Sequence, residues 1–261
     1  MSAFASTWLA LREPADRAAR DQALLSAAAS HANSVANPLI VDLGCGTGST
    51  LRTLSPLVPA ASWRLVDNDP ALLAEAKRRA ANDAVETAEA DLRDVAATPL
   101  AGARLVTASA LFDLASREMV AALAERLAAE GTGFYAALSY DGTARWSKTH
   151  PLDIAVVAAF NRHQRGDKGL GPALGPGAGA ELATAFGQRG FDVRSAESPW
   201  TLGPDDADLQ AAFVEGMASA VSQTEMLEPE DVETWLAARL ASVSTGRCVI
   251  GHLDILALPK G

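Results

Sequence analysis

The stretch Leu39-Ile40-Val41-Asp42-Leu43-Gly44-Cys45-Gly46-Thr47-Gly48 decides how the rest of the chain is read. Leu39 to Leu43 is a short, mostly apolar run of the kind that forms a buried strand. The glycines at alternate positions after it permit a sharp backbone turn and leave space where any Cβ would collide with a ligand. A helix opening near Thr47 then directs its free N–H groups into that space, which is the layout of a nucleotide-class site. Asp67 closes the next apolar run, Arg64 to Val66, about 20 residues on, where a carboxylate can accept both ribose hydroxyl protons of a nucleoside. The plain alternatives are a tight turn for the glycines and a helix N-cap for Asp67, although Asp69 is better placed to cap a helix starting at Pro70.

Outward from this stretch, strand and helix signals alternate. Residues 14 to 31 read as one Ala-rich helix with Pro14 in its first turn. After the strand at Arg64 to Val66 a helix begins at Pro70. AVETAEADL, ARLVTASA and TGFYAALSY supply three further strands, with a helix from Ser116 to Ala129 between the last two. Such alternation predicts right-handed crossovers on a parallel sheet. Regularity stops after Tyr140, and residues 141 to 178 read as an insertion of the lid or linker kind. A helix from Ala180 to Gln188, a strand from Phe191, helices near Asp206 to Val221 and Glu228 to Leu240, and a last strand at Arg247 to Leu258 complete the pattern. The expected fold is a doubly wound α/β domain: a mostly parallel seven-stranded sheet, helices on both faces, and a lid-like insertion after the fifth strand. Within this single domain, 1–34 form a helical cap, 35–140 the cofactor-binding half, 141–178 the lid and 179–261 the rest of the sheet.

Composition narrows the function. The 261 residues carry a formal net charge of -10, and no local basic patch is visible, which argues against DNA or RNA as partners. Cys45 and Cys248 are too few for a disulfide framework or zinc cluster and suit a reducing cytoplasm. The N-terminus lacks the basic region of a signal peptide, and no stretch of about 18 apolar residues suggests a membrane span. No His, Cys and carboxylate cluster has metal-ligand spacing.

Two ligand classes share the strand, glycine turn and acid layout. A dinucleotide fingerprint places its third glycine where this chain has Ser49. The carboxylate of Asp42 just before the turn would repel a pyrophosphate but can attract the ammonium group of an amino acid. Asp-Leu-Gly-Cys-Gly-Thr-Gly from Asp42 to Gly48, Asp67 closing the next strand, and Ala90-Asp91 after the third make the chain similar to the class I S-adenosylmethionine-dependent methyltransferases. The resemblance spans roughly residues 35 to 140. It implies that Asp42, Gly44, Cys45, Gly46 and Gly48 hold the methionine part of S-adenosylmethionine, that Asp67 with its neighbour Asn68 holds the ribose, and that Asp91 and Leu92 meet the adenine. It further implies that Ser109, Ala110, Leu111, Phe112 and Asp113 line the methyl-transfer chamber, with Phe112 toward substrate. An Asn-Pro-Pro-Tyr motif is absent there, which argues against nucleobase and glutamine N-methylation. The function implied is methyl transfer to a small molecule. The alternatives are a non-catalytic S-adenosylmethionine-binding regulator or partner subunit and, further off, a nicotinamide-dependent reductase.

The insertion adds candidates. Arg162, Arg165 and Lys168 outnumber Asp167 within the run from Asn161 to Lys168, and this local positive charge suggests an anionic group on the acceptor. The plain reading is a solvated helix end whose cations favour the C-terminal dipole after Phe160. If the nucleophile must lose a proton, His163, Asp113 and Tyr140 are the candidate bases. His252 and Asp254 share one face of the last strand and can pair, with a satisfied sheet histidine as the bland reading. The run Trp8 to Arg20 reads as an amphipathic helix, with a cover over the cofactor as the second reading.

Overall fold

A computed structural model describes residues 6–80 and 84–260. Residues 1–5, where the absence of a leader's basic region was read, lie outside them. The chain opens with α1 (Ser6–Ala19) and α2 (Gln22–Ala32), followed by β1 (Leu39–Leu43), α3 (Ser49–Leu54), β2 (Ser62–Asp67), α4 (Pro70–Arg79) and β3 (Val85–Glu89). Next come β4 (Ala103–Ser109), α5 (Arg117–Glu130), β5 (Gly133–Trp146), α6 (Asp153–His163) and α7 (Ala178–Gly187). The chain ends with β6 (Phe191–Glu197), β7 (Trp200–Leu202), α8 (Ala207–Ser222), α9 (Pro229–Leu240) and β8 (Cys248–Pro259).

The sheet runs β3-β2-β1-β4-β5-β8-β6, with β7 also pairing β8. The first five strands are mutually parallel, while β8 is antiparallel to β5, β6 and β7. The doubly wound architecture is as expected, with one strand more because β7 continues the edge beyond β6. Strand order reverses at β1, so the carboxyl ends of β1, β2 and β4 surround a crevice of the type in which open α/β sheets bind ligands.

Side chains alternate along β1 and feed cores on both faces. Ile40 packs with Leu24, Leu25, Leu51 and Leu73 on the α2, α3 and α4 side. Val41 and Leu43 pack with Leu123, Leu127, Leu182 and Phe186 on the α5 and α7 side. A third core, built by Val156, Trp200, Val214, Met217 and Trp235, joins α6, β7, α8 and α9 beyond the cofactor half.

Two expectations change, and one alternative left open is decided. The segment read as one helix from 14 to 31 is two: Asp21 accepts the Leu24 N–H at 2.8 Å and so starts α2 afresh, and Pro14 lies inside α1. The insertion is more regular than its composition implies, since β5 continues to Trp146 against β8 and α6 follows. His252 and Asp254 do not pair; Asp254 instead accepts from Tyr135 Oη at 2.8 Å, Leu138 N at 2.9 Å and Asp21 N at 3.1 Å. Asp69, rather than Asp67, caps α4 by accepting from Ala71 N and Leu72 N. Among the described residues no helix is long and apolar enough to cross a membrane.

Candidate functional site

Gly44, Gly46 and Gly48 all take positive φ angles (57°, 53° and 82°), the left-handed region that glycine enters without strain. The turn is stapled from the neighbouring strand. Gly46 N donates to Asp67 Oδ2 at 2.9 Å, and Asp69 N donates to Asp67 Oδ1 at 3.0 Å. Burial raises the Asp67 carboxyl above its ordinary range, while these N–H groups and that of Asn68 oppose the rise.

Around this staple lies a cavity of about 300 Å³, lined in part by Gly44, Cys45, Gly46, Asp67, Asn68 and Leu92. Ser109 and Lys168 also line it. These groups fit the cofactor that the sequence implies. A carboxylate stands where ribose hydroxyls can donate to it, the apolar Leu92 offers a surface for a flat base, and glycine backbone leaves room at the sharp turn. A Cβ on Gly44 would come within 3.0 Å of Leu111 Cδ1, and one on Gly46 within 3.1 Å of Leu9 Cδ1.

Asp42 and Asp91 stand differently. Asp42 is 1% exposed beneath the loop, accepts from Thr107 Oγ1 at 2.7 Å, and keeps Oδ2 without a partner. Burial pushes its carboxyl up to about 7, against the lowering effects of the Thr107 bond and the Arg20 charge. It underlies the cavity instead of lining it, as does Gly48, whose N–H closes the turn onto Cys45 O at 2.8 Å. Asp91 is exposed and paired with Arg93 at its side chain and backbone N–H, outside the cavity lining, although Leu92 beside it is inside.

A second cavity, of about 330 Å³, adjoins the first. Arg12, Ala110 and Leu114 line both. Its walls are aromatic: Trp8, Tyr140, Phe160, Trp200 and Phe213 all contribute. Edge-on contacts link them at centroid separations of 5.6 Å for Tyr140–Phe160, 6.3 Å for Phe160–Phe213 and 6.4 Å for both Trp200–Phe213 and Trp8–Trp200. Asp113, Gln164 and His252 add polar groups. Burial pushes the Asp113 carboxyl up to about 6, with Arg12 opposing, and pulls His252 down to about 3, with the Arg12 charge adding to the fall. Burial, and then the charges of Asp141 and Asp113, drive the Tyr140 hydroxyl above its ordinary value, so it keeps its proton.

Two backbone features form this cavity's floor. Ala110 and Leu138, both non-glycine residues, hold positive φ angles of 50° and 58° just past the parallel portions of β4 and β5. The β5–β8 register slips between Ala136 and Ser139, so one extra residue bends β5 and resets which side chains face the cavity.

The lid candidates are placed less centrally. His163 contacts Lys168 Nζ at 3.0 Å and Gln223 Oε1 at 3.3 Å, and lines neither cavity. Arg162 and Arg165 are exposed, and the Arg165 guanidinium turns back to Asn161 O at 3.1 Å. Lys168 alone of the three cations lines either of the two cavities, and it is the one around the glycine turn. Phe112, expected toward substrate, is 1% exposed and packs edge-on against Phe134 at 5.3 Å in the core. Residues that periodicity does not single out do line the cavities: Trp8 and Arg12 of α1, Trp200 of β7 and His252 of β8. The run Trp8 to Arg20, through its reading as a cover, is the sequence signal toward the first two, and His252 is visible in sequence only as a strand histidine beside Asp254. Among the described residues no group of three His, Cys, Asp or Glu side chains is placed to hold a metal ion.

Residues 40–138 match the family described as a methyltransferase domain. Among curated protein sequences none matches the chain. The fold is similar to that of a methyltransferase from Geobacter sulfurreducens solved with S-adenosyl-L-homocysteine, at 17% identity, TM-score 0.52, and coverage of 97% of this chain and 98% of that one. It is also similar to the cyclopropane synthase MmaA2 from Mycobacterium tuberculosis, at 12% identity and TM-score 0.52, covering 90% and 83% of the two chains. The YcgJ protein of Bacillus subtilis resembles it likewise, at 13% identity and TM-score 0.52, covering 92% and 100%.

Proposed function

We propose that this chain, whose residues 40–138 match a methyltransferase domain, is an S-adenosylmethionine-dependent methyltransferase that methylates a small molecule bound in the aromatic cavity. The observation that carries this reading is that the cofactor and aromatic cavities share Arg12, Ala110 and Leu114 as a common wall. When bound, the cofactor supplies a methyl group already activated on sulfur, so the protein's main tasks are alignment and exclusion of water.

The proposed division of labour follows from position. The turn from Gly44 to Gly48 with Cys45 receives the amino-acid end, Asp42 biases that end electrostatically from beneath, and Asp67 and Asn68 hold the ribose. Leu92 covers the base, while Asp91 becomes available to it once released from Arg93. Ser109 borders the reacting end. On the acceptor side Asp113 is the proposed proton acceptor and Tyr140 a hydrogen-bond donor. His163 has no acceptor-cavity position from which to take a proton, and Arg162 and Arg165 none from which to grip an anionic acceptor, so those roles are not part of the proposal. A regulator that only binds the cofactor would have no need of a second, adjoining cavity with buried polar groups.

The test is titration calorimetry with S-adenosylhomocysteine and NADH, followed by incubation with methyl-labelled S-adenosylmethionine and a metabolite extract. Binding of the first ligand alone and labelled small-molecule product are expected. Binding without any labelled product would favour the regulator, and a response to NADH alone would overturn the reading.

A further inference from the structure

We infer that the acceptor is a flat, neutral, apolar molecule bearing a hydroxyl group, seated between Trp8, Phe160, Trp200 and Phe213 with that hydroxyl against Asp113, Tyr140 and His252. This rests on the methyltransferase reading above and deepens it to a substrate class.

The walls argue for flatness and low polarity. Aromatic faces and edges at these separations pack best against another ring, and the volume of about 330 Å³ sits at the small end of the range in which proteins bury drug-sized ligands. The polar groups argue for the hydroxyl. Asp113 Oδ1, Tyr140 Oη and His252 Nδ1 are buried without a hydrogen-bond partner, a condition that disfavours the empty cavity unless something completes it. Asp113, Tyr140 and His252 are only 8%, 6% and 5% exposed. An ionised Asp113 can only accept, whereas Tyr140 can donate; a ligand hydroxyl does both at one atom, an ammonium only donates and a carboxylate only accepts.

Charge argues for neutrality. Arg12 lies 4.9 Å over the Trp200 ring and 5.9 Å over Trp8, taking the positions at which those rings would attract a cationic ligand. Asp16 fixes it there through bonds of 2.9 and 3.1 Å and accepts Trp200 Nε1 at 2.9 Å. A cationic acceptor would meet this guanidinium, and an anionic one would meet Asp113.

The reaction then balances. As the hydroxyl oxygen forms its bond to the methyl carbon, the carbon–sulfur bond breaks and the sulfonium becomes a neutral thioether, while the O–H proton passes to the Asp113 carboxylate. Asp113, with its carboxyl near 6, can hold that proton; His252, near 3, stays neutral and serves to position the oxygen.

The experiment uses the full chain saturated with S-adenosylhomocysteine and three probes on one ring system, 2-naphthol, 2-naphthylmethylammonium and 2-naphthoate, read by tryptophan fluorescence and calorimetry. Methyl transfer is followed with labelled S-adenosylmethionine. Naphthol is expected to bind at least about tenfold more tightly than either charged probe and to be O-methylated, since each charged probe leaves a buried partner unmatched. Phe213→Ala should weaken naphthol about tenfold and leave S-adenosylhomocysteine binding unchanged. Asp113→Asn should retain naphthol binding, lower kcat about 100-fold and abolish the fall in rate below about pH 6. Preference for a charged probe, naphthol that binds without being methylated, or no naphthol binding while S-adenosylhomocysteine binds would each overturn the acceptor class alone. Failure of S-adenosylhomocysteine to bind would overturn the parent reading and this one with it.

Discussion

Asp42 in β1 and Asp67 at the end of β2 stand on neighbouring strands, yet their environments set them different tasks. Asp67 reaches the cavity and holds the Gly46 and Asp69 N–H groups, so it both shapes the turn and presents a carboxylate to ligand. Asp67→Ala should weaken S-adenosylhomocysteine binding by about 1.5–3 kcal/mol in calorimetry while the fold survives, the scale of hydrogen bonds to a charged group; wild-type affinity would reduce Asp67 to a turn residue. Asp42 is sealed below, and its carboxyl stands near 7 in the folded chain because burial disfavours the charge. An unfolded aspartate titrates near ~3.9. The folded state therefore holds the proton more tightly, and the stability associated with this group is fullest below about pH 4 and declines as pH rises toward about 7. Asp42→Asn removes that decline. Its Tm advantage over the wild type is expected to grow from pH 4 to pH 8, by an amount equivalent to roughly 2–4 kcal/mol, and a difference flat with pH would contradict the buried ionisation.

At the scale of elements, β5 is where the parallel half of the sheet is joined to the antiparallel half. Its register slip next to Leu138 needs an anchor, and Asp254 of β8 provides one by accepting from Leu138 N, Tyr135 Oη and Asp21 N, thereby tying β5 and the start of α2 to one carboxylate. Asp254→Ala would leave these donors buried and unmatched. A loss of roughly 3–5 kcal/mol in denaturant unfolding is expected, as for breaking a buried charged network, and a loss under about 1 kcal/mol would show that the slip holds without it. The segment after α6 is tied down in a comparable way. Leu174 N donates to Ala115 O and Gly175 N to Asp113 O, each at 2.9 Å, so the stretch behind the cationic run is hydrogen-bonded to the same segment that carries Asp113.

For the molecule as a whole, α1 is the piece that turns two cavities into one site. Leu9 touches the glycine turn, Asp16 lines the cavity around that turn, Trp8 lines the aromatic cavity and Arg12 lines both, while the helix rests on β7 and α8. Any ligand that fills the cavity around the glycine turn meets this helix. Hydrogen exchange should therefore slow in α1 and around Lys168 to Leu170 when S-adenosylhomocysteine binds, because a cover must open to admit ligand and is held once it has closed. Unchanged exchange in both segments would make α1 a fixed wall.

How much of this could be read from the chain depends on the range of the interaction responsible. The strand run Leu39 to Leu43, the alternate glycines, Asp67 at a strand end and Asp69 before Pro70 are local patterns whose physics acts over a few residues, and from them the doubly wound fold and the cofactor class were legible. The break at Asp21 was missed because a capping aspartate inside an Ala-rich stretch does not interrupt its apolar periodicity. Of the aromatic cavity, Ala110, Asp113 and Tyr140 were legible as candidates, but the rest of its aromatic wall was not. Trp8, Asp113, Tyr140, Trp200 and His252 are scattered from one end of the chain to the other, and only sheet order and the β5 slip bring them to one wall. Phe112 and Asp113 are adjacent in sequence, yet one is core and the other lines the cavity; the sequence determined that a methyl donor could be held, and the tertiary structure decided what it faces, because burial and proximity between distant residues are properties of packing.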